Sequence, residues 1–283
     1  MYLRLGVFLL MIVSTKGKAQ EVETFEANIS STLNNSNSVG FKNASITINL
    51  PLSLKKGILT NSLLFSNYNL DYNSDETIKT NTIENLKTFK YSLGYSHLIN
   101  NKWSIKTRIS PTISSNFESE LTIDDFFING SLIFNRLNKN NHIRIGIVYN
   151  TSFGTKKAIP ILSYSRNLNN SVSYTLGMPI TKIEYFINKT NSANLYLKPK
   201  GFYSNISDNL IFDVNKNGDK IKYQSMLSGF KYSHDVDEFW NLSFDIGYQF
   251  SSKYELLNNN KSVYKFKTND SFFIGFNLKL DLL

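Results

Sequence analysis

The chain has 283 residues, of which 41% are hydrophobic and 19% charged, and 31 Lys and Arg against 22 Asp and Glu give a formal charge of +9. It contains no cysteine, which excludes disulfide scaffolds, thiolate metal sites and cysteine nucleophiles. No zinc-finger, helix-turn-helix or arginine-rich pattern accompanies the positive charge, so we expect no nucleic-acid partner.

The first 19 residues have the pattern of an export signal. Arg4 makes the start basic, residues 5–13 form an apolar run too short to span a bilayer, and Gly17 and Ala19 are the small residues expected before a cleavage site. An uncleaved membrane anchor is the alternative. We therefore predict a signal peptide over residues 1–19 and a single exported domain over residues 20–283.

The mature chain has the alternation of amphipathic strands. No segment reaches 18 continuous apolar residues, which excludes a helical span. Apolar and polar residues instead alternate with a period of two over runs of about 10 to 16 residues, whereas strands of soluble sandwiches have about 5–6. Such runs are long enough to cross a bilayer at a tilt, and only a closed sheet satisfies every backbone amide in lipid.

These runs predict an all-β fold, a transmembrane antiparallel β-barrel of about 14 strands. The predicted strands are 24–33, 39–54, 58–72, 86–99, 102–116, 126–137, 142–153, 158–168, 171–178, 181–188, 193–204, 221–235, 239–254 and 268–283. The pair around Pro179 is short and alternates poorly, so 12 strands is the alternative. Short turns alternate with longer links at 73–85, 116–124, 154–158, 205–220 and 255–265, which is typical of outer-membrane barrels with both termini in the periplasm.

Aromatic residues lie near the predicted strand ends. Trp103 and Trp240 each follow a short turn and are predicted at the periplasmic interface. A second girdle at the opposite ends is predicted from Phe89, Phe126, Phe153, Tyr223 and Tyr254. The alternative is that these rings are ordinary core aromatics of a soluble sandwich.

The closing segment carries a resemblance. Residues 271–283 place apolar side chains on one face, and they resemble the C-terminal strand by which the outer-membrane assembly machinery recognises barrels, although Leu283 stands where an aromatic residue is usual. With the signal, the 50–52 Leu-Pro-Leu segment and the 177–180 Gly-Met-Pro-Ile linkage, the chain is similar to uncharacterised Gram-negative outer-membrane β-barrel proteins, a domain-of-unknown-function family. The resemblance implies the outer membrane of a Gram-negative bacterium, with its lipid and the barrel-assembly machinery as partners.

One local motif suggests a cation. Asp213, Asn215, Asn217 and Asp219 place oxygen donors at alternate positions around a glycine, as in calcium loops. The twelfth position is Gln224 instead of a bidentate Glu and no helices flank the motif, so a plain Asn-Gly turn is the simpler interpretation. We expect no cofactor other than a structural Ca²⁺ in the 205–220 loop.

Enzymatic motifs are lacking. His97, His142 and His234 all lie beside short turns, where solvated or interfacial histidines are the default. The sequence has no G-x-S-x-G elbow, H-E-x-x-H motif or glycine-rich phosphate loop. We therefore predict that the protein is not an enzyme; a barrel hydrolase or acyltransferase is the minor alternative.

The polar faces of the predicted strands carry mostly cationic groups. The lumen-lining candidates are Lys90, Lys106, Arg108, Arg144, Asp245, Gln249, Asn277 and Lys279. In a channel such groups set ion preference, and a barrel of this size is intermediate between filled eight-stranded and open 16–18-stranded barrels. We predict a narrow porin-like channel or small-solute transporter; the alternative is a non-conducting structural or partner-binding outer-membrane barrel.

Overall fold

The computed structural model describes residues 24–33, 38–72, 78, 80–154, 156–213 and 216–281; the predicted signal over 1–19 and Leu283 lie outside them. The strands are β1 Phe25–Leu33, β2 Gly40–Leu54, β3 Gly57–Asp71, β4 Asn85–Leu98, β5 Trp103–Ser115, β6 Phe126–Leu137, β7 Asn141–Tyr149, β8 Ala158–Asn167, β9 Val172–Met178, β10 Thr181–Phe186, β11 Asn191–Asp213, β12 Lys216–Asp235, β13 Trp240–Asn258, β14 Lys261–Phe266 and β15 Ser271–Leu280. Short 3-10 helices lie at Asn81–Ile83, Ile123–Asp125 and Thr151–Phe153. In these ranges no helix is long and apolar enough to span a membrane.

The strands close into a ring. From β1 to β13 each strand pairs antiparallel with the next, and β15 joins β13 to β1, with Leu280 opposite both Phe25 and Trp240. β14 pairs with the end of β13 and stands outside the ring, which therefore has 14 strands. The prediction of a 14-stranded antiparallel barrel is confirmed. The short pair around Pro179 is β9 and β10, so the 12-strand alternative is wrong.

The outer surface of the barrel is apolar all the way around. Each strand of the ring presents at least one large, exposed apolar side chain outward: Ile29, Ile46, Leu63, Phe89, Ile109, Ile128, Ile145, Leu162, Leu176, Ile183, Leu195, Phe230, Phe244 and Phe272. A continuous apolar belt of this kind is unfavourable in water and matches the hydrocarbon of a bilayer. The fold is thus a transmembrane β-barrel whose period-two alternation separates a lipid face from an enclosed face.

The two ends of the barrel differ. The termini and the short turns, which include 55–56, 99–102 and 138–140, lie together at one end, which we call the turn end. The 3-10 helices and the long hairpins β11–β12 and β13–β14 lie at the other, the hairpin end. Trp103 and Trp240 begin strands at the turn end, as predicted.

Two predicted loops are strands. The 205–220 link is a hairpin in which β11 pairs with β12 up to Asp213 and Lys216, and the 255–265 link is the β13–β14 hairpin. Their Asn- and Asp-rich sequence is typical of loops, but the apolar residues Ile206 and Leu210 are buried. Tertiary packing of that buried face outweighs the local turn preference.

The predicted second aromatic girdle is wrong for two of its members. Tyr223 and Tyr254 are 0% and 1% exposed and lie inside the barrel. In β13, an extra residue between the pairs Gln224–Lys253 and Met226–Phe250 forms a bulge, in which Ser251 has a positive φ of 54°. A bulge reverses the facing of the residues beyond it, so Tyr254 points inward although Phe244 points outward.

Candidate functional site

The β11–β12 hairpin fills the barrel at the hairpin end. Toward the hairpin end, β9 stops at Met178, opposite Leu162 on β8, and β10 begins only at Thr181, opposite Leu197 on β11. Above Leu197, β11 has no wall strand on that side and approaches the far wall. Ser204 of β11 accepts a hydrogen bond from Ser114 of β5 at 3.2 Å, although five strands separate β5 from β11 in the ring.

Further polar contacts extend this crossing. Ser207 Oγ lies 2.8 Å from Ser115 Oγ, and the Ser207 backbone amide donates to Asn116 Oδ1 at 2.8 Å. Asn116 also donates to the carbonyl of Thr82 at 2.9 Å. The link between β5 and β6 thus joins the hairpin to the connection between β3 and β4.

A charged network, which we call the latch, surrounds this crossing. Asn205 donates to Asp125 Oδ1 at 2.7 Å and accepts from Lys220 Nζ at 2.6 Å, and Lys220 also pairs with Asp124 at 3.3 Å. Asp125 is 0% exposed, and its other oxygen accepts from the Thr122 amide at 2.7 Å. Burial raises the pKa of Asp125, but hydrogen bonds from Thr122, Ser115 and Asn205 outweigh it and lower the pKa below its usual range.

Beside the latch lies a cluster of buried apolar and aromatic side chains, which we call the apolar plug. Its members are buried side chains from the hairpin-end parts of the wall strands, the β3–β4 connection and the two long hairpins: Val39, Phe41, Leu70, Ile78, Ile83, Leu86, Phe202, Ile206, Leu210, Ile221, Tyr223, Tyr254, Leu256 and Phe266. At most 6% of any of these residues is exposed, and Phe41 stacks on Tyr223 with ring centres 4.1 Å apart. Close-packed side chains of this kind narrow the mouth of the barrel at the hairpin end.

Below the plug, toward the turn end, the interior is polar. A cavity of about 370 Å³ lies there, which we call the lumen cavity. Its wall includes Lys198, Lys200 and Lys231 from β11 and β12, with Glu26 from β1 and Asp245 from β13. Smaller cavities of about 270 and 120 Å³ lie along β4 to β7 and are lined by Lys106, Arg108 and Lys90. Cationic groups therefore face the enclosed space from both sides.

The predicted lumen-lining residues all belong to the inward-facing positions of their strands. Lys90, Lys106 and Arg108 line the smaller cavities, and Asp245 and Asn277 line the lumen cavity. The other predicted residues also occupy inward-facing positions of their strands; they are Arg144, Gln249 and Lys279. Gln249 is 1% exposed and lies next to the plug, where it contacts Ser252.

Sequence reasoning did not select several residues that line the interior. They are Glu26, Lys182, Glu184, Lys198, Lys200 and Lys231. The sequence does contain a pattern that predicts Lys198 and Lys200 on the inner face. Asn194, Tyr196, Lys198 and Lys200 alternate with the outward-facing Leu195 and Leu197. Counting both sets, cations outnumber carboxylates on the part of the inner face that the structure describes.

The calcium motif lies at the tip of the β11–β12 hairpin, and Asn215 is outside the described residues. The side chain of Asn217 contacts the Asn258 amide, and one oxygen of Asp219 lies 3.9 Å from Lys220 Nζ. Among the residues with described positions, no three His, Asp or Glu side chains are grouped so as to hold a metal ion. The Ca²⁺ site stays a prediction.

The three histidines lie at the turn end. His97 Nδ1 donates to the carbonyl of Lys56 at 2.6 Å, and His234 Nδ1 donates to Asn191 Oδ1 at 2.8 Å. Nε2 of His142 is buried, and the structure gives it no hydrogen-bond partner among the residues it describes. The contacts of His97 and His234 hold turns together rather than align a base with an acid.

A closed antiparallel barrel with an apolar exterior, a cationic interior and a filled hairpin end defines the class of the protein as a transmembrane β-barrel. Residues 25–282 match the family described as Domain of unknown function (DUF6268). The chain belongs to that family, which confirms the resemblance drawn from its sequence. No curated protein matches the chain.

Several solved barrels have a similar fold. The NanC porin is 6% identical with a TM-score of 0.41, and the match covers 90% of this chain and 100% of that one. The Pseudomonas putida toluene transporter TodX is 9% identical with a TM-score of 0.45, covering 93% and 90%. Outer membrane phospholipase A from Escherichia coli is 10% identical with a TM-score of 0.39, covering 95% of each. At such identities and TM-scores these likenesses carry no functional argument.

Proposed function

We propose that the protein is an outer-membrane channel that admits small anionic solutes to a cationic lumen and is closed at its hairpin end by a movable hairpin. The observation that carries the proposal is the excess of cations over carboxylates around the enclosed cavities. Like charges that line a narrow space with low-dielectric walls raise the local concentration of counter-ions. Anions are therefore the solutes that such a lumen favours.

The outer membrane of a Gram-negative bacterium is part of this proposal. Its support is the even number of strands in the ring, the apolar belt, and the short turns gathered with both termini at one end. In that orientation the turn end faces the periplasm and the hairpin end faces outside. Outer-membrane lipid and the barrel-assembly machinery are then the partners.

Passage of a solute requires the hairpin to move. The latch and the apolar plug lie in the mouth above the lumen cavity, and on this basis we take the present conformation as the closed one. β11 is held there by polar contacts to Ser114, Ser115 and Asp125, which lie outside its own hairpin. These are side-chain contacts, so they can break while the backbone pairing of β11 with β12 and of β12 with β13 is retained.

The test is conductance in planar lipid bilayers and solute uptake into liposomes, with wild-type protein and the doubly substituted Asp125→Ala/Asn205→Ala protein. We expect rare openings of the wild type and frequent openings of the variant, because the variant loses the latch. In a KCl gradient the reversal potential should indicate chloride preference. Lys106→Gln/Arg108→Gln should weaken that preference. Absence of conductance and uptake for both proteins would refute the proposal.

A non-conducting, partner-binding barrel is the second candidate, and the large number of buried side chains in the plug favours it. It predicts that loosening the latch leaves the bilayer current at zero. An enzymatic role lacks comparable support, since the contacts of His97 and His234 are to a backbone carbonyl and an amide. Replacing each histidine by glutamine should change neither conductance nor the background rate of lipid hydrolysis.

A further inference from the structure

One wall of the lumen cavity concentrates positive charge. Lys198 and Lys200 are alternate residues of β11, so both face inward, and Lys231 faces inward from the neighbouring β12. We propose that these three lysines form a binding site for a small multivalent oxyanion, a solute with two or more carboxylate or phosphate groups. The proposal rests on the proposed function for the route of entry, whereas binding itself requires no passage.

The three ammonium groups lack carboxylate partners at salt-bridge distance among the residues that the structure describes. Lys200 Nζ donates to Ser30 Oγ at 3.2 Å across the lumen, and Lys198 Nζ lies 4.3 Å from the centre of the Tyr196 ring. These are neutral partners. The charge of Lys198 and Lys200 is thus not neutralised by a close ion pair.

The carboxylates of the same cavity accept hydrogen bonds from neutral groups. Asp245 Oδ1 accepts from the Tyr196 hydroxyl at 2.6 Å, and Glu26 Oε1 accepts from Asn277 Nδ2 at 2.6 Å. Asp245 is the cross-strand neighbour of Lys231, but neither carboxylate lies within salt-bridge distance of the three lysines. Three lysines against two carboxylates give the lining of the cavity a net charge of +1, and a ligand with two or three negative groups offsets the repulsion among the lysines more than a single halide does.

Size and lining define the ligand further. A volume of about 370 Å³ is in the range of small-molecule sites, so the cavity takes a metabolite and excludes a polymer. Lysines bind carboxylate and phosphate as point charges. Asn28, Asn43 and Ser45 line the cavity as well and supply neutral donors and acceptors for hydroxyl groups of the solute.

The experiment is isothermal titration of the whole barrel in a zwitterionic detergent at constant ionic strength. The probes are citrate, pyrophosphate, chloride and, as a neutral control, glycerol. We expect saturable binding of citrate or pyrophosphate with one site per barrel, and none of glycerol. Lys198→Gln/Lys200→Gln/Lys231→Gln should weaken binding at least about thirtyfold, because it removes three charge-assisted contacts.

The matched control is Lys55→Gln/Lys56→Gln/Lys102→Gln, which removes the same charge from exposed turns and should change the affinity by less than about twofold. Gel electrophoresis before and after boiling checks that each variant is folded, because a folded barrel migrates faster than the same chain after boiling. Lys200→Arg keeps the charge and should retain most of the affinity.

The outcomes separate the two proposals. Binding of citrate alone identifies a carboxylate ligand, and binding of pyrophosphate alone a phosphate ligand. If neither binds, or if the lumen triple variant binds as tightly as the wild type, the oxyanion site is refuted even when the barrel conducts. Lysine-dependent binding by a barrel that never conducts would support the site and refute the channel.

Discussion

Asn205 on β11 donates a hydrogen bond of 2.7 Å to Asp125, a residue 80 positions earlier that lies on the far side of the barrel mouth. The same Asn205 side chain accepts from Lys220 at 2.6 Å, so one amide joins the β5–β6 link to both strands of the hairpin. Asp125, Asn205 and Lys220 are buried and shielded from water, whereas the side chain of Asp124 is 68% exposed. Shielding strengthens each of these charged hydrogen bonds.

Removing the carboxylate should loosen the hairpin without opening the wall. In Asp125→Ala the Thr122 amide and Asn205 lose their acceptor, which should cost about 1–3 kcal/mol. We expect faster hydrogen–deuterium exchange of the backbone amides of 204–210 and unchanged exchange in β2 and β3. Asp208→Ala, an equal charge change at an exposed position of the same hairpin, is the control. Equal exchange rates in the two variants would contradict the latch.

Acid should loosen the same hairpin. The folded-state pKa of Asp125 lies below its unfolded value of about 3.9, so its stabilising contribution is complete above that value and is lost as the pH falls through the lower folded-state pKa. We expect exchange protection of 204–210, corrected for intrinsic rates, to be constant from neutral pH to about pH 5 and to decline below about pH 4. In the Asp125→Asn variant, exchange protection corrected in the same way should not decline below about pH 4. A wild-type profile that stays flat to pH 2 would show that Asp125 does not hold the hairpin.

Gly201 is required where the hairpin passes the Thr151–Phe153 helix. A Cβ added there would lie 2.3 Å from the carbonyl oxygen of Tyr223 and 2.9 Å from the Gly154 nitrogen, both of them backbone atoms. We expect Gly201→Ala to cost about 1–3 kcal/mol of stability in urea titrations followed by tryptophan fluorescence. Gly94→Ala, whose Cβ would be 3.6 Å from its nearest neighbour, is the control and should differ little from wild type.

Because of the bulge at Ser251, we expect a Ser→Gly substitution to affect the free energy of unfolding differently at Ser251 and at Ser228. Ser251 has a φ of 54°, which glycine adopts freely and a β-branched residue does not. Ser251→Gly should leave the urea midpoint unchanged or raise the free energy of unfolding by up to about 1 kcal/mol, and Ser251→Val should lower it by about 1–2 kcal/mol. Ser228→Gly, in the exposed middle of β12, should lower it by about 0.5–1 kcal/mol. Equal effects of glycine at both positions would argue against the bulge.

Neighbouring residues of β6 test which face touches lipid. Leu132 points outward and is 39% exposed, whereas Ser131 points inward and lines the small cavities beside Arg108. Leu132→Lys should destabilise insertion into lipid vesicles by about 2–4 kcal/mol, measured as the folded fraction on unboiled gels across a urea series. Ser131→Lys should be tolerated much better because its ammonium group remains in a polar interior. The reverse order would invert the assignment of the faces.

The sequence by itself determined the barrel wall. Successive side chains of a strand point to opposite faces of the sheet. Runs such as Phe89 to Tyr95 and Trp240 to Phe250 therefore identify both the strands and the face that contacts lipid. The same alternation predicts that Lys90 and Asp245 point inward. Turn clusters supplied the ring count of 14, including the short pair β9 and β10. Each of these inferences is local.

Only the tertiary structure decided what fills the mouth and where the charge gathers. Asp125 and Asn205 meet because β10 ends early and releases β11 from the wall, a relation between distant strands that no period in the chain expresses. The bulge at Ser251 likewise reverses which residues of β13 point inward. Tyr254 therefore lies in the plug and not in the predicted aromatic girdle. Local alternation sets which way a side chain points, whereas closure depends on the free energy of long-range packing, and that becomes visible only when the strands are assembled.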